Sequence, residues 1–205
     1  MRDTIAIILA AGKGMRMKSA CPKVLHDLLG RPVISYILDS IRQAGIRHAI
    51  TISGHESALL AAAVKDTKIL IQKELTGSAS AVFTAKKFLG SYSGDVLVIC
   101  GDTPLIKSET IKSLIKKHKG LKASLTILTA RLKDPAGYGR IVRSHEGKIS
   151  KITEEEEADI VEKAITEVNA GTYCFKAKDL FAAIVKVKSE NKKKEFFLTD
   201  TVAIL

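Results

Sequence analysis

Lys13, Arg16, Lys18 and Lys23 crowd one short stretch of this chain, Ala10-Ala-Gly-Lys-Gly-Met-Arg-Met-Lys-Ser-Ala-Cys-Pro-Lys23. Leu9 ends an apolar run just before them. Ala10, Ala11 and Gly12 are small enough for a ligand to lie against the backbone, and Gly12 and Gly14 are free to adopt positive φ. Backbone N–H donors beside fixed positive charge are what a polyphosphate needs. Two better-known glycine patterns fail here: GxGxxG and GxxxxGK[ST] both require glycine at position 17, which is Met17. On these residues alone, a plain strand-to-helix turn stays open as the other reading.

Asp102 follows Gly101, which leaves room for a ligand, at the end of the apolar run Asp95-Val-Leu-Val-Ile-Cys100. Its carboxylate suits a hard cation, or it caps its own turn ahead of Pro104. Gln72 ends another apolar run and offers both a donor and an acceptor. Glu154 and Asn169, taken singly, are of a kind more often structural. His55-Glu56 starts like HExxH, but position 59 is Leu. His26 lies nearest the first loop and reads as a packing or surface residue.

The elements that must position these groups alternate. Thr4–Leu9, rich in β-branched residues, predicts a strand buried on both faces. A helix follows over Pro32–Ile41, closed by Gly45. Strands are predicted at Ala49–Ser53, Ile69–Gln72, Asp95–Cys100 and Ala123–Ala130. Helices are expected over His55–Val64 and over Ser78–Phe88, stopped by Gly90, with one capped by Ser108. This is an α/β chain with a Rossmann-like, doubly wound, mostly parallel sheet, whose ligands sit outside the carboxyl ends of the strands. From Asp134 onward, short strands at Arg140–Arg143, Lys148–Thr153 and Thr166–Phe175 predict a small antiparallel insertion. Glu154–Glu157 reads as an exposed acidic run, Asp179 as the cap of a helix to about Val187, and Thr199-Asp200 as the start of a last helix.

A length of 205 residues suits one domain with a sizeable core. No apolar run reaches the ~18 residues of a membrane span, and a signal-peptide core is absent from the start. Cys21, Cys100 and Cys174 form no CxxC and predict reduced thiols in a cytoplasmic protein. The formal charge of +11 fits a lysine-rich solvated surface, with an anionic small substrate using the N-terminal cluster. With 5% aromatics and none interleaved with basic stretches, a stacking platform for nucleic acid is not expected. Neither nucleic acid nor membrane is an expected partner, and nothing in the sequence sets an oligomeric state.

LAAGKGMRM followed by PKVLH resembles the signature of sugar-phosphate nucleotidylyltransferases. The PKVLH form is most similar to the uridylyltransferases that make UDP-N-acetylglucosamine. The resemblance runs over residues 1–205 as one nucleotidylyltransferase domain. It implies a domain cut short before the family's second metal ligand, an asparagine, with no acetyltransferase β-helix. It implies UTP and N-acetylglucosamine 1-phosphate as substrates, Mg²⁺ as cofactor, and UDP-N-acetylglucosamine and pyrophosphate as products.

Residue by residue, it implies that Leu9, Ala10, Ala11, Gly12, Lys13 and Gly14 line the nucleotide. Arg16 and Lys23 are the catalytic cations, and Asp102 in Gly101-Asp-Thr-Pro-Leu105 holds the metal. Gln72, Gly77 and Ser78 read the base, and a carboxamide suits an imide edge. Gly139, Glu154, Asn169 and Thr199 hold the amino sugar. The chain departs from the family where Leu75-Thr-Gly-Ser-Ala-Ser-Ala81 replaces Gln-Leu-Gly-Thr-Gly-His-Ala, where Cys100 replaces Tyr, and where Phe196-Phe197 replaces a tyrosine pair. These departures bear mostly on the base, so CTP or dTTP specificity, or a silent nucleotide- or nucleic-acid-binding domain, stand as alternatives.

Overall fold

The computed structural model describes residues 3–12, 14, 17–19, 21–54, 57–64 and 66–205. Lys13, Arg16 and the His55-Glu56 pair lie outside the described residues.

The chain opens with β1 (Thr4–Ala10), a 3-10 turn (Lys23–Leu25), the two-strand hairpin β2 (Asp27–Leu28) and β3 (Arg31–Pro32), and α1 (Val33–Gln43). Then come β4 (His48–Ser53), α2 (Ser57–Ala63), β5 (Lys68–Ile71), α3 (Ser78–Thr84), α4 (Lys86–Leu89) and β6 (Asp95–Cys100). The second half holds α5 (Ser108–Leu121), β7 (Leu125–Arg131), β8 (Arg140–Arg143), β9 (Ile149–Thr153), α6 (Ile160–Lys163), β10 (Glu167–Lys176) and α7 (Ala177–Ile184). A 3-10 turn (Leu198–Asp200) leads into α8 (Thr201–Ile204).

One sheet runs β5-β4-β1-β6-β10-β8-β9, with β7 also paired to β10. β1 pairs in parallel with β4 and β6, and β4 with β5. β10 is antiparallel to both β6 and β7. β7 therefore runs in the same direction as the first four strands, and the sheet is mostly parallel, as the sequence predicts. The antiparallel strands, expected as an insertion over the sheet's open end, instead extend the sheet, because β10 joins it directly beside β6.

Period-2 alternation explains why β1 is central. Ile7 belongs to the core layer shared with α3 and α7, and Ile8 to the opposite layer with α1 and α5. Both are 0% exposed. Helix α1 turns Ile34, Ile37 and Ile41 inward, and α5 does the same with Ile111, Leu114 and Ile115.

Several local expectations shift. Pro32 is the residue before α1, whereas the sequence places it within the first turn. The helix expected over Ser78–Phe88 divides at Ala85 into α3 and α4, and Gly90 then ends it at φ +56. Ser108 is the first residue of α5, and its hydroxyl bonds the Glu109 carboxylate, not a backbone N–H. Asp179 lies within the first turn of α7, whose cap position is Lys176.

Candidate active site

The first loop leaves β1 at the sheet's carboxyl edge. Gly14 takes φ +57, and a Cβ there would stand 2.9 Å from Lys23 Cβ. Only a residue without a side chain lets the loop lie this close to Lys23. Gly12 does not use the left-handed region, and a Cβ on it would meet nothing within 4 Å.

Lys23 heads its 3-10 turn, and the next residue, Val24, is buried. A Cβ on Gly101 would lie 3.2 Å from both Val24 Cγ1 and the Leu9 carbonyl. The small residue at 101, expected to clear space for a ligand, instead makes room for Val24 and β1. That packing plants Lys23 beside Asp102, with Nζ 2.5 Å from Oδ2 and the two side chains 40% and 30% exposed. Asp102 does not cap its own turn among the described residues. The turn is braced by Thr103, whose hydroxyl donates to the Cys100 carbonyl at 2.8 Å.

The segment expected from the sequence to read a base borders this loop. A Cβ on Gly54, just after β4, would stand 3.1 Å from the Ala11 carbonyl and 3.5 Å from Leu75 Cδ2. Gln72 lies one residue past β5, and its N–H donates to the Ser53 carbonyl at 2.8 Å. The residue as a whole is 5% exposed. Its Nε2 donates to Ser80 Oγ at 2.7 Å and to the Gly77 carbonyl at 3.2 Å. Gly77 has φ +119, and a Cβ there would be 2.4 Å from the Phe196 carbonyl. The Ser78 hydroxyl accepts from Leu198 N–H at 2.9 Å.

The residues expected from the sequence to hold an amino sugar also converge. Thr199 donates to Glu154 Oε1 at 2.9 Å. A Cβ on Gly139 would stand 3.2 Å from Glu154 Oε2, and the Gly139 carbonyl accepts from Asn169 N–H at 2.9 Å. Asn169 sits where the β10–β7 register shifts. It donates from Nδ2 to the Tyr173 hydroxyl at 2.6 Å and accepts the Gly171 N–H at 3.0 Å. Each polar end keeps capacity for one further bond.

Two features join these parts. Cys100, at the end of β6, has its Sγ 3.2 Å from where a Gly171 Cβ would be. Burial, with Asp102 nearby, pushes its thiol up to about 12. The segment 196–199 runs from the Gly77 turn to Glu154. Burial and the neighbouring Glu154 also raise the Asp200 carboxyl.

The sequence singled out no role for Arg140, yet its guanidinium is 2% exposed and paired to Glu155 Oε2 at 2.7 Å. It also donates to the Tyr138 and Lys163 carbonyls. Arg140 holds the Glu155 carboxyl below the usual carboxylate range, and Gly137 N–H adds to this. The acidic run is therefore partly tethered, which fixes the loop carrying Gly139. His26 Nε2 is buried without a hydrogen-bond partner among the described residues.

A cavity of about 820 Å³ lies elsewhere, between α5 and β7 with Val202 and Leu205 on its rim, and contains none of these residues. Among the described residues no three His, Cys, Asp or Glu side chains cluster to hold a metal. No described helix is long and apolar enough to cross a membrane. The three cysteines are unpaired.

The doubly wound, mostly parallel sheet is shared with two solved structures. A UDP-glucose pyrophosphorylase complexed with UDP-glucose superposes with TM-score 0.81 at 17% identity, covering 100% of this chain and 86% of that one. A Bacillus anthracis structure assigned as a glucose-1-phosphate thymidylyltransferase, bound to sucrose, gives 0.79 at 21% identity over 97% and 80%. These likenesses establish the fold. The model of the nucleotidyl transferase family matches residues 5–205, and the chain belongs to that family. It is 44% identical over 206 aligned residues to the bifunctional protein GlmU of Bacillus cereus and of Bacillus thuringiensis. The match takes in 100% of this chain and 45% of each relative, so the chain spans under half their length.

Proposed function

We propose that this chain transfers a uridylyl group from UTP to N-acetylglucosamine 1-phosphate, giving UDP-N-acetylglucosamine and pyrophosphate. The observation that carries the reading is Lys23 Nζ at 2.5 Å from Asp102 Oδ2, against the Gly14 loop. Residues far apart in sequence, each part of the resemblance, thus meet at one edge of the sheet. The likeness to the GlmU proteins along the whole chain supports the same reading.

An oxygen of the sugar phosphate attacks the α-phosphorus, forming one P–O bond while the bond to the β-phosphate breaks and pyrophosphate leaves. A phosphate monoester, with its second pKa near ~6, is already largely ionised at neutral pH, so the chain need not supply a base. The obstacle is repulsion between anions, about 4 kcal/mol for one unit pair at 4 Å and an effective dielectric of 20. Each ~1.4 kcal/mol removed is roughly tenfold in rate. Lys23 neutralises charge between nucleotide and incoming phosphate. Arg16, assigned from the sequence alone, holds the triphosphate and the departing pyrophosphate, with Lys13 the second candidate for that role. Gly139, Glu154, Asn169 and Thr199 orient the amino sugar, and Gln72, Gly77 and Ser78 receive the base.

Asp102 is suited to Mg²⁺. Lys23 engages one of its oxygens, the other is free among the described residues, and Mg²⁺ is ordinarily held by one or two carboxylates plus phosphate oxygens and water. When bound, such an ion supplies charge neutralisation for the phosphates of both substrates.

The test is pyrophosphate release from UTP with N-acetylglucosamine 1-phosphate, against CTP and glucose 1-phosphate controls, with and without Mg²⁺. Release confined to the first pair and to Mg²⁺ is expected. Equal release with CTP or with glucose 1-phosphate overturns the assignment.

A further inference from the structure

Gln72 lacks the freedom that a base-reading carboxamide has in isolation. A terminal carboxamide can present either its oxygen or its nitrogen, because the two ends have nearly the same shape. Here both Nε2 protons are used, on Ser80 Oγ at 2.7 Å and on the Gly77 carbonyl at 3.2 Å. Ser80 is itself saturated. It donates to the Gly77 carbonyl at 2.9 Å and accepts from Gln72 Nε2 and from Thr76 Oγ1, the latter at 2.9 Å. In this arrangement the hydroxyl's one proton and both lone pairs are spent. Turning the carboxamide over would set Oε1 against the Gly77 carbonyl, which cannot donate, and would draw the Ser80 proton off that carbonyl to meet it, a buried mismatch of the costly kind.

The platform beneath this network is equally constrained. Gly77, at φ +119, is pressed against the Phe196 carbonyl, and Phe196 N–H donates to the Thr76 carbonyl at 2.7 Å. The Gly77 carbonyl therefore cannot drift to suit a flipped amide. Oε1 is the polar capacity that Gln72 retains among the described residues.

We propose that Ser80 and Thr76 are positioning residues that lock Gln72 oxygen-first, so that the base subsite demands an N–H donor and selects an imide pyrimidine over cytosine. An imide ring offers N3–H to that oxygen, whereas the corresponding ring nitrogen of cytosine is an acceptor and meets it lone pair to lone pair. This rests on the reading above, in which Gln72 faces the base.

The experiment measures UTP and CTP binding by calorimetry, and KM and kcat for each nucleotide, for the unaltered chain, Ser80→Ala, Ser80→Thr and Thr76→Val. The unaltered chain is expected to prefer UTP. In Ser80→Ala the UTP:CTP preference falls at least about fivefold, the worth of one neutral hydrogen bond. The change lies in KM and in binding, with kcat for UTP nearly unchanged. Ser80→Thr restores the preference, and Thr76→Val loses part of it. An unaltered chain that binds the two nucleotides equally overturns both the base reading and the lock. A preference for UTP that survives in Ser80→Ala, with unchanged melting temperature, overturns the lock and leaves the base reading standing.

Discussion

Lys23 and Asp102 form an ion pair whose members are 40% and 30% exposed, so water screens it and its contribution to stability is small. In the proposed mechanism its consequence lies in placement: the pair holds an ammonium where two anions would meet. Glu154 is placed by similar means, with Thr199 donating to one oxygen and Gly139 crowding the other. Thr199→Val removes that donor, so KM for N-acetylglucosamine 1-phosphate should rise several-fold while KM for UTP stays put. Steady-state kinetics with each substrate varied in turn checks this. Lys23 and Asp102 could be singled out in the sequence because their types state their chemistry, and the fold brings the two together. Arg140 could not be, since its partners Glu155 and Lys163 lie far along the chain and only folding brings them around its guanidinium.

The segment 196–199 ties the Gly77 turn to Glu154: backbone bonds join Phe196 to Thr76 and Ala79, and the Thr199 hydroxyl reaches the Glu154 carboxylate. Gly77 is the point of closest approach, where a Cβ would stand 2.4 Å from a carbonyl that cannot move aside. Gly77→Ala combines that clash with a strained φ, and should destabilise the fold by roughly 2–4 kcal/mol. Thermal unfolding of the variant measures it, and a melting point equal to the parent's would contradict the account. The existence of strands and helices was readable from periodicity, as in β1 with its two buried faces. The place of β7 was not. Its sequence fits a strand next to β6, yet β10 inserts between them, and such long-range pairing leaves no mark on local pattern. Capping also depended on context: Ser108 and Asp179 have suitable side chains, but the chain enters both helices one or more residues earlier.

Across the molecule, the antiparallel half is held together by Glu167, which accepts from Arg143 and from Thr129. Arg143 lowers the Glu167 carboxyl to about 2. A depressed folded pKa contributes stability that is complete above the unfolded carboxylate value of ~4.3 and is lost as pH falls toward about 2. Glu167→Gln should therefore lower stability at pH 7 and flatten its decline over that acid range, as read by denaturant titrations at a series of pH values. The widest claim is that residues distant in the chain come together to gather two mutually repelling phosphates. Its most direct measurement is the turnover of Asp102→Ala and Lys23→Ala, by pyrophosphate release from UTP and N-acetylglucosamine 1-phosphate, with circular dichroism to verify the fold. Both variants should keep the parent's spectrum and lose at least about a hundredfold in kcat/KM, the scale of a removed electrostatic stabiliser. Near-parental turnover in either well-folded variant would contradict the account.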